Sequence, residues 1–77
     1  MTTLVGGGAS HRITGTGKRG VKVSVSSGTV PLQLSTDDTN WQGVSDASWT
    51  AASTNTVTMY NGLFYRCAGD GSIEILG

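Results

Sequence analysis

Apolar and polar residues alternate with a period of two along much of this chain, and no segment shows the 3.6-residue spacing of a helix. The residues are VKVSVS at positions 21–26 and VPLQL at positions 30–34. This alternation is typical of strands that bury one face. The sequence therefore predicts an all-β fold.

The dipeptide Ser27-Gly28 separates these two alternating runs and marks a turn. We therefore expect residues 21–35 to form a hairpin of two half-buried strands. Pro31 lacks an amide hydrogen, so we expect it on a sheet edge or with its nitrogen turned away from the neighbouring strand.

A second turn signal, Asn61-Gly62, lies between apolar runs and is the strongest short hairpin signal in the chain. A two-residue turn would pair Met59 with Phe64, whereas a three-residue loop with a left-handed Gly62 would pair Met59 with Leu63. We favour the three-residue loop because it gathers the larger apolar set on one face. That set is Val57, Met59, Leu63, Tyr65 and Cys67.

The remaining segments complete a fold of short strands. Residues 35–40 (STDDTN) form a loop, because such side chains bond to their own backbone in turns. We expect at least one of Trp41 and Trp49 to cap the core. Residues 69–71 form the last turn, and residues 72–76 the last strand. Six to seven short strands predict a small antiparallel β-sandwich or a jelly-roll-like barrel.

The first 20 residues differ from the rest because they are rich in glycine and hold three of the five basic residues. Glycine loses the most entropy on ordering. We therefore predict an N-terminal arm over residues 1–20, with a short strand at His11–Thr14, and a β-sandwich domain over residues 21–77. The apolar pair Leu4 and Val5 would anchor the arm in a neighbouring molecule; otherwise the arm is a disordered tail.

Length and charge limit the classes of function. A chain of 77 residues forms one domain, which buries only about 60% of its unfolded surface. Cys67, the single cysteine, cannot form an intrachain disulfide, and no cluster of Cys and His suggests zinc. Partner subunits are the expected source of further stability, so we expect a homo-oligomer, with a trimer as one form.

Partners other than protein are not expected. The net charge is zero and only 13% of the residues are charged, which argues against nucleic-acid binding through phosphate neutralisation. No apolar run approaches the ~20 residues that span a bilayer, so we expect no membrane insertion. The start MTTLVGGGAS lacks a charged region and a long apolar region, so we expect no signal peptide.

No catalytic set is evident, and we expect no catalytic residue and no cofactor. Residues 15–20 match GxGxxG, but a strand follows where nucleotide binding needs a helix. His11 is interpreted as a surface histidine rather than a general base. Cys67 is interpreted as a small core residue rather than a nucleophile.

Two further kinds of site have candidate residues. Four oxygen-bearing residues bracket one loop: Asp37, Asp38, Asn40 and Asp46. They could hold calcium, but the EF-hand spacing is absent and turn formation explains them equally well, so we expect no metal. Trp41 and Trp49, with Asn and Asp nearby, are candidates for stacking on a sugar ring.

Three segments carry a resemblance to a known kind of protein. They are VPLQLSTDDTNW from Val30 to Trp41, residues 51–57, and NGLFYR from Asn61 to Arg66. Together they resemble a recurrent small module of bacteriophage virions, over about residues 21–76. Such modules are β-sandwich decoration, cement or fibre-type components that coat phage particles. The resemblance implies no cofactor and no catalytic residue.

We therefore expect a non-enzymatic virion protein, a capsid decoration or cement protein that is assembled in the host cytoplasm and binds the major capsid protein or other virion proteins. The expected contact residues are Leu4, Val5, Arg12, Phe64 and Arg66. An aromatic residue beside an arginine is enriched at interfaces, although Phe64 could equally be an ordinary exposed apolar residue.

Two other functions stay open. One is a phage fibre or tail-associated module that binds host-surface carbohydrate through its tryptophans. The other is a small enzyme or inhibitor, which would need a pocket with shifted ionisable groups, and this sequence has few such groups.

Overall fold

The computed structural model describes residues 2–76, which form eight antiparallel strands in two four-stranded sheets. The strands are β1 (Thr2–Val5), β2 (His11–Arg12), β3 (Gly17–Ser27), β4 (Val30–Ser35), β5 (Gln42–Trp49), β6 (Ser53–Met59), β7 (Phe64–Cys67) and β8 (Asp70–Ile75). Sheet A has the order β1-β8-β3-β6, and sheet B has the order β2-β7-β4-β5.

This strand order is that of a jelly roll, in which the chain changes sheet at every connection except the one between β4 and β5. The all-β sandwich class is thus confirmed. The predicted number of strands was too low, because eight are present rather than six to seven.

The core lies between the sheets and is built by the alternation of the strands. Its buried members are Leu4, Ile13, Val21, Val23, Val30, Leu32, Ala47, Val57, Met59, Tyr65, Cys67, Ile73 and Ile75. Tyr65 is fully buried, and its hydroxyl accepts a hydrogen bond from the backbone N–H of Tyr60 at 3.0 Å. A buried phenol therefore keeps a polar partner at the rim of the core.

Both predicted hairpins are wrong, although the predicted turns exist. β3 and β4 meet at Gly28, which has a φ of 64°, but they lie in different sheets. β6 and β7 are likewise in different sheets, and Gly62 between them has a φ of 86°. The turn signal fixes the local reversal of the chain, but the strand that follows can bury the same face by crossing to the opposite sheet.

The predicted facing of the second pair of strands is nevertheless correct. Val57, Met59, Tyr65 and Cys67 are buried together, and Leu63 packs partly buried against them. The backbone N–H of Leu63 donates to the carbonyl of Tyr60 at 3.3 Å, which closes the turn. The apolar pattern therefore predicts which side chains are inside, independently of how the strands pair.

Pro31 lies in β4, an inner strand of sheet B, so the first of its two predicted placements, on a sheet edge, is wrong. The register between β4 and β5 shifts beside it: Pro31 is opposite Ser48, whereas Gln33 is opposite Gly43. An irregularity in the ladder is a position where a sheet tolerates proline.

The described part of the predicted arm, residues 2–20, belongs to the sandwich. Leu4 in β1 is only 1% exposed, and β1 pairs along its length with β8. The N–H of Gly6 donates to the carbonyl of Gly71 at 2.8 Å, and a Cβ on Gly6 would lie 2.1 Å from the carbonyl oxygen of Gly69. The glycines here allow a close crossing of two backbones, which the prediction had taken as a sign of an arm.

Candidate interaction face

The outward face of sheet B brings together two arginines and two aromatic residues. β2 pairs with β7, and Arg12 lies directly opposite Phe64. Because Tyr65 points into the core and side chains alternate along a strand, Phe64 and Arg66 point outward. Trp41, which precedes β5, lies against Arg66. We call this set the sheet B patch: Arg12, Trp41, Phe64 and Arg66.

Arg66 is held in the patch from two sides. Its guanidinium carbon lies 4.3 Å from the centroid of the Trp41 ring, a cation–π contact. Its Nε donates to Oε1 of Gln33 at 2.7 Å, and Gln33 is the residue opposite Arg66 in the pairing of β4 with β7. A side chain that is already oriented loses less entropy when a partner binds it.

Asp37 organises the loop that leads to Trp41. Its Oδ1 accepts hydrogen bonds from the backbone N–H groups of Thr39 and Asn40, both at 2.9 Å, and its Oδ2 accepts one from Nδ2 of Asn40 at 2.8 Å. The hydroxyl of Ser35 donates to the same carboxylate at 2.8 Å. The predicted loop is therefore confirmed.

The same hydrogen bonds make the loop sensitive to acid. Donors from Asn40, Thr39 and Ser35 favour the ionised carboxylate and hold the pKa of Asp37 well below its ordinary value of 3.8. Because the pKa of Asp37 is lower in the folded than in the unfolded chain, ionised Asp37 stabilises the fold at pH values above its pKa in the unfolded chain. This stabilisation is lost as the pH falls through the pKa in the folded chain.

We expect the variant Asp37→Asn to be less stable than the wild type at about pH 7 and to lose less stability on acidification, because it has no carboxylate to protonate. Chemical denaturation at several pH values from about 7 down to about 2 measures this difference. The difference in free energy of unfolding between the two proteins should narrow only below about pH 4. Parallel pH curves for the two proteins would contradict a stabilising role of the carboxylate.

The five predicted contact residues do not all lie on one surface of the structure. Leu4 is buried in the core, so its prediction as a contact with another molecule is wrong. Val5 is 58% exposed and lies in β1 of sheet A rather than in the sheet B patch. Arg12, Phe64 and Arg66 are brought together on sheet B.

The other candidate residues lie apart. Trp49 packs partly buried against the core, and His11 is exposed in β2. Burial raises the pKa of the Cys67 thiol, so the thiol stays protonated near neutral pH and is a poor nucleophile. From Gly17 onward, the segment 15–20 already belongs to β3 rather than to a helix, so the N–H groups of a helix N-terminus are not presented to a phosphate.

The acidic residues of the candidate calcium site do not converge. The Asp37 carboxylate receives the loop donors, Asp38 accepts a hydrogen bond from the Ser10 hydroxyl, and Asp46 lies within β5. Within residues 2–76, no group of three or more His, Cys, Asp or Glu side chains is placed to hold a metal ion. The same residues include no helix long and apolar enough to cross a membrane.

Two contacts of Arg66, with Gln33 and with Trp41, were missed from the sequence. The outward facing of Gln33 was predictable, because it lies between two inward leucines. Its contact with Arg66 was not, because it depends on the pairing of two strands that are far apart in the chain. Trp41 was considered for sugar stacking and for capping the core, but not as a partner of Arg66. Its contact with Arg66 requires the loop after β4 to fold back over sheet B, and no local pattern predicts that.

Comparisons of the chain with protein-family models, with curated proteins and with solved structures each found no match.

Proposed function

We propose that this chain is a non-enzymatic structural protein of a bacteriophage particle, a capsid decoration protein that binds the assembled shell and stabilises it. The observation that supports this function most is the sheet B patch, where two arginines and two aromatic residues share one face. Trp, Tyr and Arg dominate the binding energy of protein interfaces. The proposed partner is the major capsid protein or another virion protein.

The proposed mechanism is mass action. A protein that binds the assembled shell, but not the free subunits, lowers the free energy of the shell. The stabilisation increases with the logarithm of the ratio of the concentration of the binding protein to its dissociation constant. The chain has a net charge of zero, so long-range electrostatic attraction contributes little to its association with the shell. The affinity must therefore come from contacts buried in the patch. The jelly-roll fold occurs in capsid proteins and also in lectins, so the fold is compatible with this function without deciding it.

The test is co-sedimentation with assembled shells of the phage that carries this sequence. Arg66→Ala removes the contacts with Trp41 and Gln33 at the middle of the patch. We expect it to weaken binding about 30-fold, the loss of a residue worth about 2 kcal/mol. The matched control is Lys22→Ala, which removes an exposed cation from β3 in the other sheet and should bind as the wild type does.

Either of two results would count against the proposal. The first is a wild-type chain that stays in the supernatant at every shell concentration. The second is equal binding by Arg66→Ala and Lys22→Ala, which would move the contact away from the patch. A truncation of residues 1–20 is unsuitable as a test, because it removes two strands and part of a third from the sandwich.

One observation favours the alternative function, a fibre or tail-associated module that binds host-surface carbohydrate. Trp41 is half-buried beside Asn40 and the Asp37 loop, the kind of setting in which an indole stacks on a sugar ring. Arg66 covers one face of this indole, so sugar binding would use the other face. Arg66→Ala should then retain or improve a fluorescence response to bacterial polysaccharide, whereas Trp41→Ala should abolish it.

A further inference from the structure

Strand β6 is the longest regular free edge of the sandwich. It is the last strand of sheet A, and its pairing with β3 runs without interruption over all seven of its residues, Ser53–Met59. The other edge strands are shorter or irregular: β1 has four residues, β2 has two, and β5 shifts register and contains Asp46 with a φ of 59°. A free edge presents unpaired N–H and C=O groups to any strand that approaches.

The features that normally block such an edge are missing from β6. Proteins protect free edges with charged side chains, especially lysine, with proline, or with a bulge. No charged residue and no proline occur in Ser53–Met59, or anywhere from Ala47 to Tyr65. The exposed side chains of β6 on the outward face of sheet A are those of Thr54, Thr56 and Thr58.

The neighbouring edge strand leaves room beside β6. A groove of about 490 Å³ lies between β6 and β5, and Thr56, Val57 and Thr58 line it on the β6 side. Tyr60, which follows β6, also lines the groove and is 51% exposed, one of the most exposed large apolar side chains among residues 2–76. β5 therefore stands across a groove from β6 and does not cover its edge.

We infer that β6 pairs antiparallel with β6 of a second copy of this chain and so joins two A sheets into one continuous sheet. A second copy fits this edge because self-pairing opposes threonine with other neutral side chains, and Thr–Thr pairs across strands are favourable. A charged strand paired with itself would oppose like charges, but β6 has none. The zero net charge of the whole chain also leaves little repulsion between copies.

This pairing gives the homo-oligomer a defined form. Antiparallel pairing of one strand with itself is a twofold contact, and it closes at two copies. It does not depend on shell binding, because the sheet B patch and the β6 edge lie in different sheets. A dimer can therefore form whether or not the patch binds a shell.

The test is the native mass of the full chain without shells, measured by sedimentation over a range of concentrations. We expect a reversible dimer of the 7.9 kDa chain. Thr56→Lys places two lysines near the twofold axis and should weaken dimerisation on the order of tenfold, with partial recovery at high salt. The matched control, Thr3→Lys on the opposite edge of sheet A, should leave the dimer unchanged.

Hydrogen exchange provides an independent measurement. The amides of β6 that point away from β3 should be protected in the dimer and exchange rapidly after dilution to the monomer. A chain that is monomeric at all concentrations would overturn the inference, as would an assembly of three copies. A dimer that is weakened by Thr3→Lys and not by Thr56→Lys would overturn it too, because the contact would then be at β1.

Discussion

Replacing Leu4 with alanine should destabilise the folded chain by about 3 kcal/mol, because a buried leucine truncated to alanine typically costs about 2–5 kcal/mol. Leu4 is 1% exposed and lies opposite Ile73 in the pairing of β1 with β8. A small domain has a total free energy of unfolding of roughly 5 kcal/mol. This one substitution near the start of the chain is therefore expected to remove most of its stability.

The adjacent residue provides the control. Val5 is 58% exposed, so Val5→Ala should change the free energy of unfolding by no more than about 0.5 kcal/mol. Urea denaturation of the two variants and the wild type measures both effects. If Leu4→Ala costs no more than Val5→Ala, β1 does not contribute to the fold, and the earlier prediction of an independent arm would be correct.

The sequence indicated which side chains face inward, but it did not indicate that β1 would pair within the sandwich instead of forming an arm. Period-two alternation predicted the inward side chains of β3, β4, β6 and β7, because the facing of a side chain follows from its position along its own strand. It did not predict pairing, since Gly28 and Gly62 turn the chain in the same way whether the next strand joins the same sheet or the opposite one.

In the candidate site, too, the facing of side chains was predictable and the pairing of strands was not. The outward facing of Phe64 and Arg66 was predictable from the inward facing of Tyr65. The cross-strand neighbour of Phe64, Arg12, was not, because it comes from β2, a strand of two residues with little pattern of its own. Glycine misled the prediction most, because its lack of a side chain serves mobility and close packing alike.

Gly71→Ala should destabilise the fold by about 3 kcal/mol, the upper end of the usual cost of overpacking a core. A Cβ on Gly71 would lie 2.1 Å from the carbonyl oxygen of Ser24 and 2.7 Å from Cγ2 of Val30. One obstacle is backbone of the paired strand β3, and the other is a fully buried side chain of the opposite sheet. The two sheets would have to separate here to admit one methyl group.

Gly17→Ala and Gly43→Ala are the matched controls, since a Cβ at either position would meet no atom within 4 Å. Alanine also restricts the unfolded chain, so these variants should be as stable as the wild type or more stable by up to about 1 kcal/mol. Thermal unfolding separates the outcomes, because about 3 kcal/mol lowers the midpoint of so small a domain by more than about 10 °C. Equal midpoints for Gly71→Ala and Gly17→Ala would show that the sheets are less tightly packed at Gly71. A lower midpoint for Gly71→Ala than for Gly17→Ala would show that glycine is required where β8 packs against Ser24 of β3 and Val30 of the opposite sheet.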